Sequence, residues 1–294
     1  MTKPKKLREK AATAETSPLA STRIAFVGAG VMAESIIAGL LAKGMLPADH
    51  IVGSHPRSER RDQLEERFGI ATTPGNRESV DGADLVVLTI KPQALKPVMQ
   101  QLHGRLNPRQ TVISIIAGAN LASLRRGLGH DGIVRVMPNT PAQISEGMSV
   151  WRATDEVSGD QRTAVRALLG ALGEEIEVDT EKYVDMATAL SGTGPTYVFL
   201  MMEALIDAGV HMGFPRHLAE EIVLQTVSGS VAFARSSGKH MAELRNMVTS
   251  PGGTSADAIY QMEKGGLRTV LSKSVYAAYT RTQSLAAEQD RDEG

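Results

Sequence analysis

The sequence predicts an α/β protein in two parts: a doubly wound parallel sheet over roughly the first 180 residues, then an all-α domain. Three observations carry this reading. Short β-branched and aliphatic runs alternate with helix-length segments from residue 23 to about residue 178. A glycine-spaced turn follows the first of those runs. After about residue 180 the alternation stops and only helical periodicity remains. Alternation with near-continuous apolar strands belongs to a parallel sheet covered on both faces.

In chain order, Arg23–Val27, His50–Gly53, Asp84–Thr89, Thr111–Ile115 and Ile133–Val136 read as strands. Val31–Lys43 and Ser58–Phe68 carry apolar residues at helical spacing. Met148–Ala153 and Glu175–Val178 are two final strands around the helix Gly159–Leu172. Beyond a boundary at Asp179–Lys182 the expected helices are Lys182–Leu190, Pro195–Met212, Arg216–Ser236, His240–Val248, Ser255–Lys264 and Leu267–Glu288. Several begin on a Ser/Thr cap or an early Pro and stop near Gly213, Gly238 or Gly265–Gly266. The expected domains are therefore 22–180 and 181–294, preceded by a polar, Lys/Ala/Thr-rich tail over 1–21. That tail lacks the apolar core of a secretory signal and is expected to be disordered. A transit peptide or a basic docking arm is the alternative.

Composition excludes several classes of function. The 294 residues are 42% hydrophobic and 22% charged, with a formal net charge of −1, so no global field invites nucleic acid or an anionic membrane. No apolar run approaches the ~20 residues that span a bilayer. The absence of cysteine removes disulfides, thiolate catalysis and Cys-ligated metal, and it fits a cytoplasmic protein. Seven scattered histidines show no metal-site spacing, so no metal is expected. The last helices carry Val270, Leu271, Val275, Tyr276, Tyr279 and Leu285, more apolar surface than a small helical domain readily buries. Pairing with a second copy is the expected solution, against a self-contained bundle.

The run IAFVGAGVMAESI places Gly28, Gly30 and Ala33 in the G-x-G-x-x-A pattern between a strand and a helix, the fingerprint of a Rossmann-type dinucleotide site. The first glycine permits the tight turn, the second lets the backbone approach a pyrophosphate, and Ala33 allows close helix–strand packing. The anion would rest on the start of the helix at Val31 and Met32, where free N–H groups and the helix dipole favour it. An NAD-selective site places a carboxylate about 20 residues later, on the ribose. Here the second strand leads into Ser54, His55 and Arg57, with Arg60 and Arg61 behind, and Asp49 lies before the strand. Hydroxyl and guanidinium donors without a carboxylate suit a 2′-phosphate, so NADPH is favoured and NADH is the alternative. The alternative reading of these arginines is the solvated start of a helix and nothing more. Two further loops, Thr89–Ile90–Lys91–Pro92 and Ile116–Ala117–Gly118, fall at strand ends where a doubly wound sheet meets its cofactor.

Three more segments point to a substrate. Val136-Met137-Pro138-Asn139-Thr140-Pro141 ends a strand and offers the Asn139 amide. Leu190-Ser191-Gly192-Thr193-Gly194-Pro195 is a small-residue turn opening a helix. Thr249-Ser250-Pro251-Gly252-Gly253-Thr254-Ser255 gathers hydroxyls and N–H groups at another helix start, which suits a carboxylate. Each turn alone is equally well explained by helix capping.

Taken together, VGAG-VMA, IKPQ, RVMPNTP, SGTGPTYV, GVHMGFPR and TSPGGTSADAI resemble the pyrroline-5-carboxylate reductase family, in order from about Arg23 to Leu285. The resemblance implies NAD(P)H-dependent reduction of a cyclic imine, 1-pyrroline-5-carboxylate, to L-proline, and a helical domain that makes dimers or rings of dimers. It implies that Gly28, Gly30, Val31, Met32 and Ala33 hold the pyrophosphate, and that Ser54, His55, Arg57 and Asn76 meet the adenosine end. Ile90, Lys91, Pro92, Ala117, Gly118 and Asn139 would lie toward the nicotinamide. Ser250, Gly252, Gly253 and Thr254 would bind the substrate carboxylate, with Ser191 in the neighbouring turn. Ser255 departs from the family, which usually carries Thr there; the hydroxyl is kept and a packing methyl is lost.

A protonated imine is already electrophilic, so the reaction needs positioning more than acid–base power. Ser255, with Thr254, is the expected hydrogen-bonding group at the imine nitrogen. Two rival readings stand beside this one. One is reduction of another cyclic imino acid or a hydroxyacid partner, although Lys182, Lys239, Lys264 and Lys273 lie in none of the motifs such dehydrogenases use. The other is a dinucleotide sensor without turnover.

Overall fold

A computed structural model of the chain describes residues 17–293; the tail expected at the N-terminus lies outside the described residues up to residue 16. Its expected end at residue 21 is corrected. Residues 17–21 form a turn in which the Leu19 N–H meets Ser17 Oγ, and the Leu19 side chain is fully buried in the core. One apolar anchor in a polar stretch is lost when composition is averaged over twenty residues.

The strands are β1 (Ile24–Val27), β2 (Ile51–Ser54), β3 (Ala71–Thr73), β4 (Leu85–Leu88), β5 (Thr111–Ser114), β6 (Ile133–Met137), β7 (Gly147–Ala153) and β8 (Gly173–Glu177). They form one sheet in the order β3-β2-β1-β4-β5-β6-β7-β8. Strands β1 to β6 are parallel, and β7 runs antiparallel to β6 with β8 parallel to β7. The reversal follows from the link between β6 and β7, a single 3-10 turn over Thr140–Ile144, too short for a parallel crossover. The sequence reading missed β3, three residues with no apolar run.

Side chains alternate along each strand between two cores. In β1, Ile24 and Phe26 enter one and Ala25 and Val27 the other. The first core also holds Ile36, Ile37 and Leu40 of α1 (Val31–Ala42) and Leu168 of α6 (Gly159–Gly170). The second holds Val98 and Leu102 of α4 (Leu95–Leu102) and Leu124 of α5 (Leu121–Leu128). Helices α2 (Ser58–Phe68) and α3 (Asn76–Val80) complete the crossovers. Because β1 pairs with both β2 and β4, the strand order reverses there, and the crevice at a switch point is where such sheets bind ligands.

Helix α7 (Glu181–Ala187) is tied to the sheet by a buried charge. Arg135 of β6, 3% exposed, donates to Glu181 Oε1 at 2.7 Å and Asp185 Oδ1 at 2.6 Å. The Leu121 N–H also donates to Glu181 Oε1, at 2.8 Å. A π-helical turn over Thr188–Gly192 follows. The chain accordingly divides into compact units later than the expected 180/181 boundary: one runs to Gly192 and includes the chain from Tyr279, and the other is Thr193–Ala278.

The second unit consists of α8 (Gly194–His211), α9 (Arg216–Ser237), α10 (Met241–Met247), α11 (Thr254–Lys264) and the first part of α12 (Leu267–Glu293). Helices α8 and α9 meet where Gly209 faces Ala219, and these are the two buried residues between 193 and 278. Leu200, Met201, Leu205, Val270 and Leu271 stay exposed around an apolar trough of about 530 Å³. No described helix is long and apolar enough to cross a membrane.

The buried arginine yields a stability test. Removing both carboxylates (Glu181→Ala with Asp185→Ala) leaves a desolvated guanidinium unpaired. Unfolding free energy in a urea titration is expected to fall by about 3 kcal/mol, the low end for a broken buried pair because both acids keep some solvent contact. An unchanged midpoint would remove Arg135 as the anchor of α7.

Candidate functional site

The carboxyl ends of β1 and β4 meet at Gly28. Its φ of +88° is one that L side chains rarely adopt, and a Cβ there would lie 2.3 Å from Ile90 Cγ2. The turn is held from below. The Ala29 N–H donates to the Ser54 carbonyl at 2.8 Å, the Gly28 N–H approaches Ser54 Oγ at 3.3 Å, and Thr89 Oγ1 donates to the Gly28 carbonyl at 2.9 Å. Gly30 is the N-cap of α1 and brings no side chain to cap it. Glu34 N–H is the first to bond back, to the Gly30 carbonyl. The N–H groups of Val31, Met32 and Ala33 are therefore left without backbone acceptors, and three such donors at a helix start receive an anion.

At the end of β2 the structure sorts the expected ligands. Ser54 is fully buried, and its Oγ donates to Asn76 Oδ1 at 2.7 Å, while Asn76 Nδ2 donates to Gln101 Oε1 at 2.8 Å. The Ser54 hydroxyl faces under the glycine turn, and it and Asn76 prop that turn. Arg61 donates to the carbonyls of His55 and Pro56. Arg60 turns back on the carbonyls of Ala29 and Gly30. The Arg57 guanidinium is exposed and has no hydrogen-bond or ion-pair partner among the described residues. Beside it, burial pushes the His55 pKa below its usual value, and the nearby positive charges of Arg57, Arg60 and Arg61 push the same way. The corner carries surplus positive charge, and β2 ends on no carboxylate.

The remaining strand ends frame the crevice. Lys91 is exposed and caps a 3-10 turn over Pro92–Ala94. Beyond β5, Ala117 is half-buried and Gly118 turns the chain at φ +84°. Beyond β6, Asn139 is a bracket: its Oδ1 accepts from the Met148 N–H at 2.9 Å and its Nδ2 donates to the Ser191 carbonyl at 3.2 Å. Ser191 Oγ donates to the Ala187 carbonyl within the π-helical turn. One N–H of the Asn139 amide is thereby engaged in tying β6 to residue 191.

In the helical unit, the turn before α11 repeats the device of α1. Gly252 sits at φ +71°, the Gly253 N–H donates to the Ser250 carbonyl at 3.1 Å, and a Cβ on Gly253 would lie 2.5 Å from Ser250 Oγ. Gly253 is the N-cap without a side-chain cap, and Thr254 and Ser255 open the helix. The first N–H to bond back is that of Ala256. Among the described residues, no group of three His, Asp or Glu side chains is placed to hold a metal ion.

Two family models match the chain: an NADP oxidoreductase model, coenzyme F420-dependent, over residues 23–118, and the pyrroline-5-carboxylate reductase dimerisation model over residues 181–285. The pyrroline-5-carboxylate reductase of Pseudomonas aeruginosa is 43% identical over 269 residues, covering 91% of this chain and 98% of that one. That of Synechocystis is 39% identical over 265 residues, covering 90% and 98%. Among solved structures, a pyrroline-5-carboxylate reductase from Coxiella burnetii superposes with a TM-score of 0.85 at 36% identity, covering 90% of this chain and 99% of that one. The Plasmodium falciparum pyrroline carboxylate reductase, crystallised with NADP bound, superposes with a TM-score of 0.82 at 29% identity, covering 90% and 98%.

The glycine turn is testable by one methyl group. Gly28→Ala combines a strained φ, costing about 1–3 kcal/mol, with a clash against Ile90. Dinucleotide affinity in a fluorescence titration is expected to fall about tenfold or more; unchanged affinity would place the binding site elsewhere.

Proposed function

The chain belongs to the pyrroline-5-carboxylate reductase family, and from that premise we propose how its own residues reduce 1-pyrroline-5-carboxylate to L-proline with NADPH. The observation that carries the reading is an uncapped, glycine-led start on a long helix in each unit, at Gly30 and at Gly253; Gly75 leads only the five-residue α3. The first suits a pyrophosphate and the second a carboxylate, the two anions this reaction must hold.

The cradle fits the coenzyme. The N–H groups of Val31, Met32 and Ala33 receive the pyrophosphate, with the space over Gly28 and Gly30 kept clear of any Cβ. Arg57 and His55 take the 2′-phosphate. Ile90, Lys91, Pro92, Ala117 and Gly118 line the nicotinamide side, and Ser54, Asn76 and Asn139 keep the strand ends in register beneath it. When bound, the dihydronicotinamide supplies a hydride to the imine carbon. Ser250, Gly252, Gly253 and Thr254 hold the substrate carboxylate, with Ser191 marking the edge of the neighbouring turn. The Ser255 hydroxyl hydrogen-bonds the imine nitrogen, keeps its proton in place and orients the electrophilic carbon. Positioning of this kind accounts for a site without a His–Asp or Lys general acid.

The helical unit is the assembly surface. With Gly209 and Ala219 as its two buried residues, it needs a cover for the trough between α8, α11 and α12, and a second copy supplies one. We assign a homodimer, or a ring of dimers, with no metal, membrane or nucleic-acid partner. The cysteine-free chain suits the reducing cytoplasm.

The direct experiment follows absorbance loss from NADPH with 1-pyrroline-5-carboxylate as sole acceptor and L-proline as product. Turnover is expected, and no turnover with either NADPH or NADH would contradict the reading. Ser255→Ala is expected to lower kcat/KM about 10²-fold, whereas Ser255→Thr restores the hydroxyl and the rate; equal rates in all three would strip Ser255 of its role.

Coenzyme choice gives a second test. Arg57→Ala is expected to weaken NADPH binding about tenfold and to leave NADH binding unaltered. His55 adds a pH dependence. Its depressed pKa keeps it neutral near neutral pH, and protonation on acidification adds a positive charge facing the 2′-phosphate. NADPH affinity should therefore rise relative to NADH as pH falls below the ordinary histidine range; a flat ratio would remove His55 from the phosphate corner.

A further inference from the structure

We propose that Arg60 is a positioning residue for the coenzyme, acting through the carbonyls of the glycine turn rather than by touching the phosphate. The inference rests on the dinucleotide reading of Gly28–Ala33. In that turn each carbonyl has a side-chain donor. Gly28 O accepts from Thr89 Oγ1 at 2.9 Å; Ala29 O accepts from Arg60 Nε at 3.1 Å; Gly30 O accepts from Arg60 Nη2 at 3.2 Å. One planar guanidinium spans two successive carbonyls, a fork that an ammonium cannot reproduce. Holding both carbonyls fixes the two peptide planes and the chain's entry into α1, where the free N–H groups of Val31, Met32 and Ala33 begin.

A second observation shows why a cation is needed there. Glu34 stands in the first turn of α1, in the stretch meant to receive an anion. Left alone, its carboxylate would oppose a pyrophosphate. Both of its oxygens are engaged by cations, one by Arg60 and the other by Arg67. Arg60 is the inner member, 16% exposed against 65% for Arg67, and Arg67 lies over the Phe68 ring with its guanidinium carbon 4.9 Å from the centroid. The Arg60–Glu34–Arg67 bracket thus shapes the glycine turn and cancels the one acidic charge at the head of its helix. Arg60 and Arg57, three residues apart, divide the labour: Arg57 tells the two coenzymes apart, and Arg60 serves both.

The test measures NADPH and NADH dissociation constants by direct titration without substrate, so it is independent of which imine the enzyme reduces. Failure of the parent protein to bind either coenzyme would refute the dinucleotide reading itself. With the parent binding, Arg60→Met is expected to raise both constants by a common factor of about tenfold, with the steady-state loss in coenzyme KM rather than kcat. Arg60→Lys restores the charge without the fork and should recover only part of the affinity. Arg60→Met with Glu34→Gln removes the stranded carboxylate, guards against a misfolded single variant, and should also recover part. Three results would overturn the proposal: unchanged constants in folded Arg60→Met, a loss confined to NADPH, or full recovery by Arg60→Lys.

Discussion

Everything at the sheet's carboxyl edge depends on one close approach, Gly28 against Ile90. The strand order puts β1 beside β4, so the loops leaving these strands must pass each other at the switch point. They do so because residue 28 has no Cβ and accepts a left-handed φ. That crossing turns the chain abruptly into α1 and leaves the helix start bare. The props around it, Ser54 and Thr89 below and Arg60 at the side, turn a flexible glycine segment into a defined surface of N–H donors. Preorganisation of this sort is what lets neutral backbone groups hold a doubly charged ligand.

The same economy recurs at Gly253, where a glycine again leads a long helix without a side-chain cap. An N-cap Ser or Asp would stabilise either helix by satisfying its first donors. Its absence leaves those donors for a ligand, and stability is recovered elsewhere: in the two-sided core, in the Arg135 ion pairs, and in the apolar faces that an assembled helical unit covers. Charge is handled in the same spirit. The arginines that follow β2 look alike in sequence, yet one engages the loop it follows, one the carbonyls of the glycine turn, and one, Arg57, is left exposed beyond the end of β2.

Much of this was legible in the residues. Apart from β3, the strands from Ile24 to Met137 announce themselves as apolar runs, and α2 is found where its periodicity placed it, Ser58–Phe68. The glycine spacing located the tight strand-to-helix turn because only a few backbone paths let a strand pass so abruptly into a helix. What stayed hidden was decided by tertiary contact. Ser54 reads as a polar strand end, and only the packing shows it buried beneath Gly28. Asn139 reads as a free amide, and both of its ends are engaged by Met148 and Ser191. The reversal of β7 is written in the length of one turn, not in the strand. Arg135 did leave a signal, a lone arginine in the apolar run IVRV with Glu181 and Asp185 one helical turn apart in the helix that follows the last strand.

The central claim is that the coenzyme is held by backbone N–H groups at the start of α1. Amide hydrogen exchange resolved to single residues, with and without NADPH, tests it most directly. The account expects the amides of Val31, Met32 and Ala33, which exchange freely without ligand, to become protected when NADPH binds. Binding that leaves those three amides unprotected, while slowing exchange elsewhere in the chain, would contradict it.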